Sequence, residues 1–261
     1  MPKKISELNK EDLISLKNIK IIFSDMDGTL TEDGLFSQKF FSAVEILKRK
    51  NISFYIITGR SAGWAAALAE YLPVQGIIAE NGSILFRKIN GNLSIEYLIN
   101  LPSNLNDHRN NLNEVFLKCR EKIPRLVEAM DNMFRITDFS IDLGNLSIEE
   151  INEVKKIVLT TGFDATSSNV QIHIMPKGLN KAEGIKKAWS KIFIEPFDSK
   201  HVLTFGDSFN DEAMFNSNIF KNTAAVSNIE NYLDNMQHKP KYICSRKEIN
   251  GLMEIIPLLG S

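Results

Sequence analysis

Two carboxylates separated by one residue stand where an apolar run of the sequence ends. Asp25 and Asp27 belong to the stretch DMDGT, which follows residues 19–24, a short, β-branched and almost wholly apolar segment. Such a segment is typical of a strand buried on both faces of a parallel sheet. Asp-Gly by itself is an ordinary turn dipeptide, but open α/β sheets bind ligands at the carboxyl ends of their strands. The two aspartates are therefore candidates for a chemical site.

Three further polar clusters fall where a predicted strand or helix meets a loop. They are Thr58-Gly59-Arg60, Lys181, and Asp207 with Asn210 and Asp211. If the four aspartates of these clusters and of DMDGT converge, their mutual repulsion raises some of their pKa values. A hard cation with oxygen ligands would neutralise them. The sequence therefore predicts a Mg2+ site.

The remaining polar residues have the types that a phosphoryl group requires. Thr58 supplies a hydroxyl beside the small backbone of Gly59, and Lys181 adds a positive charge at the start of a predicted helix, where free N–H groups already favour anions. Because the clusters contain no histidine or cysteine, an aspartate is the candidate nucleophile, and it would form an acyl phosphate. The second aspartate can then act as acid and base.

The elements that must position these residues alternate between strands and helices. Segments 52–57, 76–79 and 201–205 are predicted buried strands, with a further strand near 223–226. This alternation predicts a parallel sheet with right-handed crossovers. Asn180 is predicted to cap the helix that begins at Lys181, with Glu183 as its reciprocal partner.

The pattern changes between residues 84 and 176. Asn90-Gly91 indicates a hairpin, Ser147 with Glu150 forms a predicted capping box, and strands are predicted near the end of this segment. Hairpins and helices in this order favour an α+β insert with an antiparallel sheet. The predicted division is a first core part (1–83), an α+β cap (84–176) and a second core part (177–261).

Composition narrows the class of protein. The formal net charge of the 261 residues is −1, which gives no electrostatic footprint for nucleic acid or for an anionic membrane. Cys119 and Cys244 form no metal or redox spacing, and buried or idle thiols are expected. Residues 1–20 contain no apolar segment of the kind that a signal peptide has, and no apolar run approaches the roughly 20 residues of a membrane span. We therefore expect a cytoplasmic protein, with the choice between monomer and homodimer left open.

The four clusters together resemble the motifs of the haloacid dehalogenase (HAD) superfamily. The motifs are DMDGT at 25–29, TGR at 58–60, Lys181 in KGLNKAEG, and GDSFND at 206–211, in family order. The resemblance implies an α/β fold, with a Rossmann-like parallel-sheet core and an inserted α+β cap domain. It is closest to phosphatases with the larger cap, such as Cof-like sugar phosphatases, sucrose-phosphate phosphatase and mannosyl-3-phosphoglycerate phosphatase.

The resemblance also implies roles for the individual residues. Asp25 would be the nucleophile, and Asp27 would be the acid and base, with its main-chain carbonyl on the metal. Thr58 and Lys181 would hold the phosphoryl oxygens, beside Gly59. The metal set would be Asp25, Asp27, Asp207 and Asp211, with Mg2+ as cofactor. Asn210 would steady the phosphate or the nucleophile, and Arg60 would contact substrate or bridge to a core carboxylate.

The expected activity is hydrolysis of a small phosphorylated metabolite, such as mannosyl-3-phosphoglycerate or sucrose 6-phosphate. Two alternatives stay open, a phosphomannomutase-like phosphotransferase and a non-catalytic phosphate-sensing module. In the predicted cap strand, His173 alternates with Gln171 and Asn169 on one face. That face could meet substrate, although solvent exposure is the favoured interpretation. Asp131 and Arg135 are further candidates in the cap.

Overall fold

The computed structural model describes residues 2–101, 104–168 and 170–260, so Asn169 lies outside the described residues. The strands are β1 (Lys3–Lys4), β2 (Ile21–Ser24), β3 (Ser53–Ile57), β4 (Gly76–Ala79), β5 (Ile84–Ile89), β6 (Asn92–Tyr97), β7 (Phe139–Asp142), β8 (Phe163–Ser167), β9 (Gln171–Pro176), β10 (Val202–Gly206), β11 (Asn222–Ala225) and β12 (Tyr242–Ile243). The α-helices are α1 (Lys10–Lys17), α2 (Gln38–Arg49), α3 (Ala62–Tyr71), α4 (Leu105–Lys122), α5 (Ile148–Leu159), α6 (Lys181–Ile192) and α7 (Glu248–Ile255). The 3-10 helices are Ile5–Glu7, Met130–Phe134, Ser199–His201, Phe209–Phe215, Ser227–Asn231, Leu233–Asn235 and Ile256–Leu258.

The larger sheet has the strand order β1-β12-β11-β10-β2-β3-β4-β5-β6. Strands β1 to β4 and β10 to β12 are parallel to one another, whereas β5 is antiparallel to both β4 and β6 at one end of the strand order. The strands β2 and β10 lie side by side and parallel at the centre, so the loops that follow their carboxyl ends lie next to each other. This is the Rossmann-like core that the sequence predicts.

Both faces of the central strands are buried, as their continuous apolar sequences require. Ile22 and Phe54 pack in the apolar cluster on one face, and Ile21, Phe23 and Tyr55 pack in the cluster on the other. Successive side chains of a strand point to opposite faces. An alternating polar pattern is therefore not expected in β2 or β3, and it does not occur.

The smaller sheet has the antiparallel order β7-β9-β8 and packs with α4 and α5 around a separate apolar core. We call the described residues of the segment 105–176, which contains these five elements, the cap. The predicted capping box at the start of α5 is present, because Ser147 N donates to the Glu150 carboxylate at 2.7 Å and Glu150 N donates to Ser147 Oγ at 3.3 Å.

Two expectations about local structure differ from the fold. The hairpin at Asn90-Gly91 forms, but its strands β5 and β6 extend the larger sheet instead of the cap sheet. A hairpin signal in the sequence is local and does not say which sheet the strands join. Asn180 caps α6 as predicted, but the Glu183 carboxylate accepts from Lys186 Nζ at 2.9 Å and does not complete a capping box.

The thiols behave as the sequence predicts. Cys119 and Cys244 are both buried and free. Burial raises the pKa of Cys119 to about 11, so this thiol is inert.

Within the described ranges, every helix falls short of the length and apolar character that crossing a bilayer requires.

Candidate active site

Three aspartates meet at the carboxyl edge of the larger sheet. Asp25 directly follows β2, Asp207 follows β10, and Asp211 lies in the 3-10 helix Phe209–Phe215. All three are buried, and one carboxylate oxygen of each lies within 4.8 Å of the others. Asp25 N donates to Phe205 O at 2.8 Å, so the ladder between the two central strands continues to the site.

Lys181 lies beneath the three carboxylates. Its Nζ donates to Asp25 Oδ1 at 2.5 Å and to Asp211 Oδ1 at 2.6 Å. Helix α6 comes this close because two glycines face each other, and a Cβ on Gly184 would lie 2.3 Å from Gly82 Cα. We call Asp25, Asp207, Asp211 and Lys181 the acidic cluster.

The acidic cluster carries more negative than positive charge in a buried place. Burial and the neighbouring Asp211 raise the pKa of Asp25 well above its ordinary value. Burial and Asp211 likewise raise the pKa of Asp207 to about 7. Burial would lower the pKa of Lys181, but Asp211 and Asp25 outweigh it and hold that pKa above its ordinary value.

The residues present fit a divalent cation with oxygen ligands. One lysine compensates only one of the three carboxylates, which leaves an excess of two negative charges when all are ionised. Carboxylate oxygens are the ligands of Mg2+ and Ca2+. The position of Asp207 is fixed by a hydrogen bond from Thr29 Oγ1 at 3.2 Å and by Gly28, where a Cβ would lie 2.6 Å from Asp207 Oδ2.

Asp27 does not join the three other carboxylates. Its side chain is part exposed and accepts from Arg60 Nε at 3.0 Å and from Arg60 Nη2 at 2.8 Å. The Arg60 guanidinium in turn lies over the Trp64 ring, 4.7 Å from its centroid. Of the two interpretations of Arg60, the bridge to a core carboxylate is therefore present in this structure.

The segment Thr58-Gly59-Arg60, a candidate for phosphate binding that we call the phosphate loop, faces a cavity of about 260 Å³. The walls of this cavity include Asp25, Thr58 and Asp207 from the core and Ser168, Gln171 and His173 from the cap. Thr58 follows β3, and its Oγ1 accepts from Arg60 N at 3.1 Å. Gly59 and Asn210 also line the cavity, and Asn210 Oδ1 accepts from Ser208 Oγ at 2.7 Å. The structure thus brings the predicted site residues to one cavity except Lys181 and Asp211, and these two contact cavity residues, since Lys181 Nζ donates to Asp25 and Asp211 accepts from Asp207 N.

The position of the His173 side chain contradicts the favoured interpretation from the sequence. The favoured interpretation was solvent exposure, but the side chain is buried and lines the cavity. Its Nδ1 lies 2.8 Å from Ser140 Oγ and 3.3 Å from Asp138 Oδ2. The alternation of polar residues in β9 signalled a polar face, but the sequence does not show that this face closes over the core.

Arg135 joins the cap to the phosphate loop. Its side chain is fully buried, and Nη1 donates to both carboxylate oxygens of Asp138 at 2.9 Å and to Gly59 O at 3.0 Å. Nε and Nη2 donate to the Asp131 carboxylate at 3.2 and 3.0 Å. We call Arg135, Asp131 and Asp138 the Arg135 cluster, and both residues singled out in the sequence, Asp131 and Arg135, belong to it.

Glu80 is a buried carboxylate that sequence reasoning missed. It follows β4 with a positive φ of 48° and is fully buried. Its oxygens accept from Ala62 N and Ile136 N at 2.9 Å and from Thr137 N at 2.6 Å. Through these hydrogen bonds Glu80 connects residues 136–137, just before β7, to the first residue of α3. The available signal was a charged residue directly after the apolar segment 76–79.

Comparison with known proteins agrees with this geometry. The family model for haloacid dehalogenase-like hydrolases matches residues 22–115 and 95–256. A phosphoglycolate phosphatase of Methanobrevibacter smithii is 26% identical over 247 residues, which cover 92% of this chain and 97% of that protein. A 5-amino-6-(5-phospho-D-ribitylamino)uracil phosphatase of Bacillus subtilis is 29% identical over 212 residues, covering 76% and 80%. The solved structure of Thermoplasma acidophilum 0175 has a similar fold, with a TM-score of 0.71, 22% identity, and coverage of 92% and 99%.

Proposed function

Since this chain belongs to the haloacid dehalogenase-like hydrolases and is a phosphatase of that family, we propose that it hydrolyses a sugar or polyol phosphate with Mg2+, through an aspartyl-phosphate. The observation that carries the proposal is the acidic cluster, in which Asp25 lies between a buried lysine and two further carboxylates at the cavity floor. Such a site has a nucleophile, a charge for the phosphoryl oxygens and a place for a cation.

In the first step a carboxylate oxygen of Asp25 attacks phosphorus, and the bond from phosphorus to the ester oxygen breaks on the opposite side. The leaving alcohol oxygen takes a proton from Asp27. The aspartyl-phosphate stays on Asp25. The part-exposed position of Asp27 at the cavity wall supports this role, because its carboxylate can exchange protons with water between steps.

In the second step a water molecule attacks the phosphorus of the aspartyl-phosphate. Asp27 accepts a proton from that water, the bond between phosphorus and Asp25 breaks, and inorganic phosphate leaves. The Arg60 guanidinium, which holds both oxygens of Asp27, keeps this carboxylate oriented toward the cavity. Asp27 thus returns to its starting protonation state after one full turnover.

The remaining residues position and neutralise the phosphoryl group. Lys181 Nζ, now on Asp25 and Asp211, supplies positive charge beside the attacked phosphorus. Thr58 Oγ1, the main chain at Gly59 and Asn210 hold phosphoryl oxygens or the nucleophile. Mg2+ bound by Asp25, Asp207, Asp211 and the main-chain carbonyl of Asp27 would neutralise phosphoryl charge.

The class of substrate follows from the size and the polarity of the cavity. A volume of about 260 Å³ holds a small metabolite, and most of the residues that line the cavity have charged or polar side chains. We propose a sugar or polyol phosphate, with mannosyl-3-phosphoglycerate and sucrose 6-phosphate as candidates. The relatives' substrates, phosphoglycolate and a ribitylaminouracil phosphate, belong to the same test panel.

The experiment measures released phosphate with p-nitrophenyl phosphate and with this panel, in 5 mM EDTA or in an excess of Mg2+ over EDTA. We expect turnover with Mg2+ and none with EDTA alone, and a higher kcat/KM for at least one sugar or polyol phosphate than for p-nitrophenyl phosphate. Equal turnover in EDTA contradicts the role of the cation. Binding of phosphate without any turnover contradicts the activity.

A further inference from the structure

His173 brings to the cavity a polar atom that the proposed chemistry does not use. His173 is buried, and its Nδ1 faces Ser140 and Asp138 inside the cap. Its other ring nitrogen, Nε2, faces the core, because a Cβ built on Gly59 would lie 3.3 Å from it. Among the described residues, Nε2 has no hydrogen-bond partner.

The neighbours of Nδ1 decide which nitrogen carries the proton. Asp138 is fully buried; burial would raise its pKa, but Arg135 outweighs burial and holds that pKa below its ordinary value. An ionised carboxylate only accepts hydrogen bonds. A lone pair on Nδ1 would therefore face negative charge at 3.3 Å, whereas an N–H there donates to it. The proton belongs on Nδ1, and Nε2 keeps its lone pair.

Among the described residues of the cap wall, no cation is free to bind a second anionic group of the substrate. Nε, Nη1 and Nη2 of Arg135 are engaged by Asp131, Asp138, Gly59 O and Gln171 Oε1. The Gln171 amide donates to Asp142 Oδ1 at 3.4 Å. Burial also lowers the pKa of His173, which favours the neutral ring. On the described part of the cap wall, the free group is thus a hydrogen-bond acceptor.

We infer that His173 is a specificity residue, and that its Nε2 accepts a hydrogen bond from a hydroxyl group on the alcohol part of the substrate, close to the phosphate ester. This inference rests on the proposed function and deepens it. Gly59 adjoins Thr58 in the phosphate loop, so Nε2 meets atoms within a few bonds of the phosphoryl group. A buried acceptor that stays unpaired disfavours substrates without a donor at this place.

The test compares three small monoesters on the unaltered protein with Mg2+. Glycerol 3-phosphate carries a hydroxyl on the carbon next to the ester carbon, propyl phosphate has a methylene there, and phosphoglycolate has a carboxylate. We expect the kcat/KM of glycerol 3-phosphate to exceed that of each other ester about tenfold. Equal values for glycerol 3-phosphate and propyl phosphate overturn the inference, and so does a preference for phosphoglycolate.

Two substitutions assign the effect to the side chain. His173→Phe removes the acceptor, and we expect the preference for glycerol 3-phosphate over propyl phosphate to fall to about one. His173→Gln keeps an acceptor oxygen, and we expect it to retain part of the preference. The ratio within one variant does not depend on how much of that variant is folded.

The outcomes also separate this inference from the proposed function. If neither these esters nor any member of the phosphate panel is hydrolysed, the proposed function fails. If they are hydrolysed and His173→Phe lowers all three esters by the same factor, His173 acts on the phosphoryl group or on the fold, and only the hydroxyl inference fails.

Discussion

Two aspartates in this protein are equally buried, yet their surroundings shift their pKa values in opposite directions. Burial and the neighbouring Asp211 raise the pKa of Asp25. Burial also acts on Asp138, but Arg135 outweighs it and lowers that pKa. The difference lies in how the positive charge is shared. Asp25 shares Lys181 with Asp211 and faces Asp207, whereas Asp138 receives hydrogen bonds from Arg135 on both oxygens.

The two clusters therefore illustrate two uses of buried charge. The Arg135 cluster satisfies its charges internally and joins the cap to the phosphate loop through Gly59 O. The acidic cluster leaves carboxylates in excess, which costs stability and favours the binding of a cation. Removing one member of each cluster should thus have opposite consequences for folding and for activity.

The largest effect is expected for Asp25→Asn. An amide cannot form the aspartyl-phosphate, so we expect kcat for p-nitrophenyl phosphate to fall about 10⁴-fold or more. Because one of the crowded negative charges is lost, the thermal midpoint of the metal-free protein should stay the same or rise. The measurements are phosphate release with Mg2+ and a melting curve in EDTA.

The matched control for Asp25→Asn is Asp198→Asn, the same change at a half-exposed aspartate away from the cavity. We expect it to keep full activity. Retained activity in Asp25→Asn would show that another group is the nucleophile. A large fall of its melting temperature would show that the acidic cluster stabilises the fold.

The second effect concerns stability and is expected for Arg135→Met. This change leaves Asp138 buried without its main partner, and breaking a buried ion pair costs about 3–5 kcal/mol. We expect the free energy of unfolding in urea to fall by that amount. A loss below about 1 kcal/mol would contradict the view that the Arg135 cluster is satisfied internally.

The third effect is the response of the acidic cluster to Mg2+ and pH. Mg2+ at one hundred times its Kd should stabilise the protein by about 2.7 kcal/mol at pH 8. The pKa of Asp207 is raised to about 7 in the folded protein. The folded, metal-free protein therefore keeps a proton on Asp207 up to a higher pH than the unfolded chain does. The stability that the folded protein gains from protonated Asp207 is lost as the pH rises toward 7. Binding of Mg2+, in contrast, requires the ionised form of Asp207.

At pH 6 the proton therefore competes with Mg2+, and the stabilisation should be smaller by about 1.4 kcal/mol, a tenfold loss in affinity. Melting curves with Mg2+ and with EDTA at pH 6 and pH 8 give this difference of differences, in which titrating groups that do not bind the cation cancel. The raised pKa of Asp25 adds to the difference in the same direction. Asp207→Asn is the control and should remove most of it. An unchanged Mg2+ effect between the two pH values would place the cation elsewhere.

Much of the core, and the convergence of three of its aspartates, could be predicted from the sequence, because the signals there are local. The apolar run before Asp25, the motif that contains Lys181 and the aspartates 207 and 211 each mark the end or start of one element. Adjacent parallel strands then bring their carboxyl ends together. The convergence of Asp25, Asp207 and Asp211 needed only the correct order of motifs.

The parts that could not be predicted depend on contacts between distant segments. The resemblance places the main-chain carbonyl of Asp27 on the metal, and the sequence leaves open whether Arg60 bridges to a core carboxylate. Neither specifies that the side chain of Asp27 is the one that pairs with Arg60, 33 residues away in sequence. The burial of His173 depends on how the cap packs over Gly59, and the role of Glu80 depends on main-chain N–H groups 56 and 57 residues further on. No pattern within a single element specifies such pairings.

The smallest effect is expected for Asp131→Asn, at the outer side of the Arg135 cluster. Its side chain is 15% exposed, and an amide keeps an acceptor for one of the two hydrogen bonds from Arg135. We expect a loss of about 1 kcal/mol in the free energy of unfolding and activity within about twofold of the unaltered protein. The control is Lys186→Gln, which removes an exposed ion pair with Glu183 and should change stability by less than about 0.5 kcal/mol. A loss for Asp131→Asn as large as that for Arg135→Met would contradict this expectation. It would mean that the ion pair between Arg135 and Asp138 is not stable without Asp131.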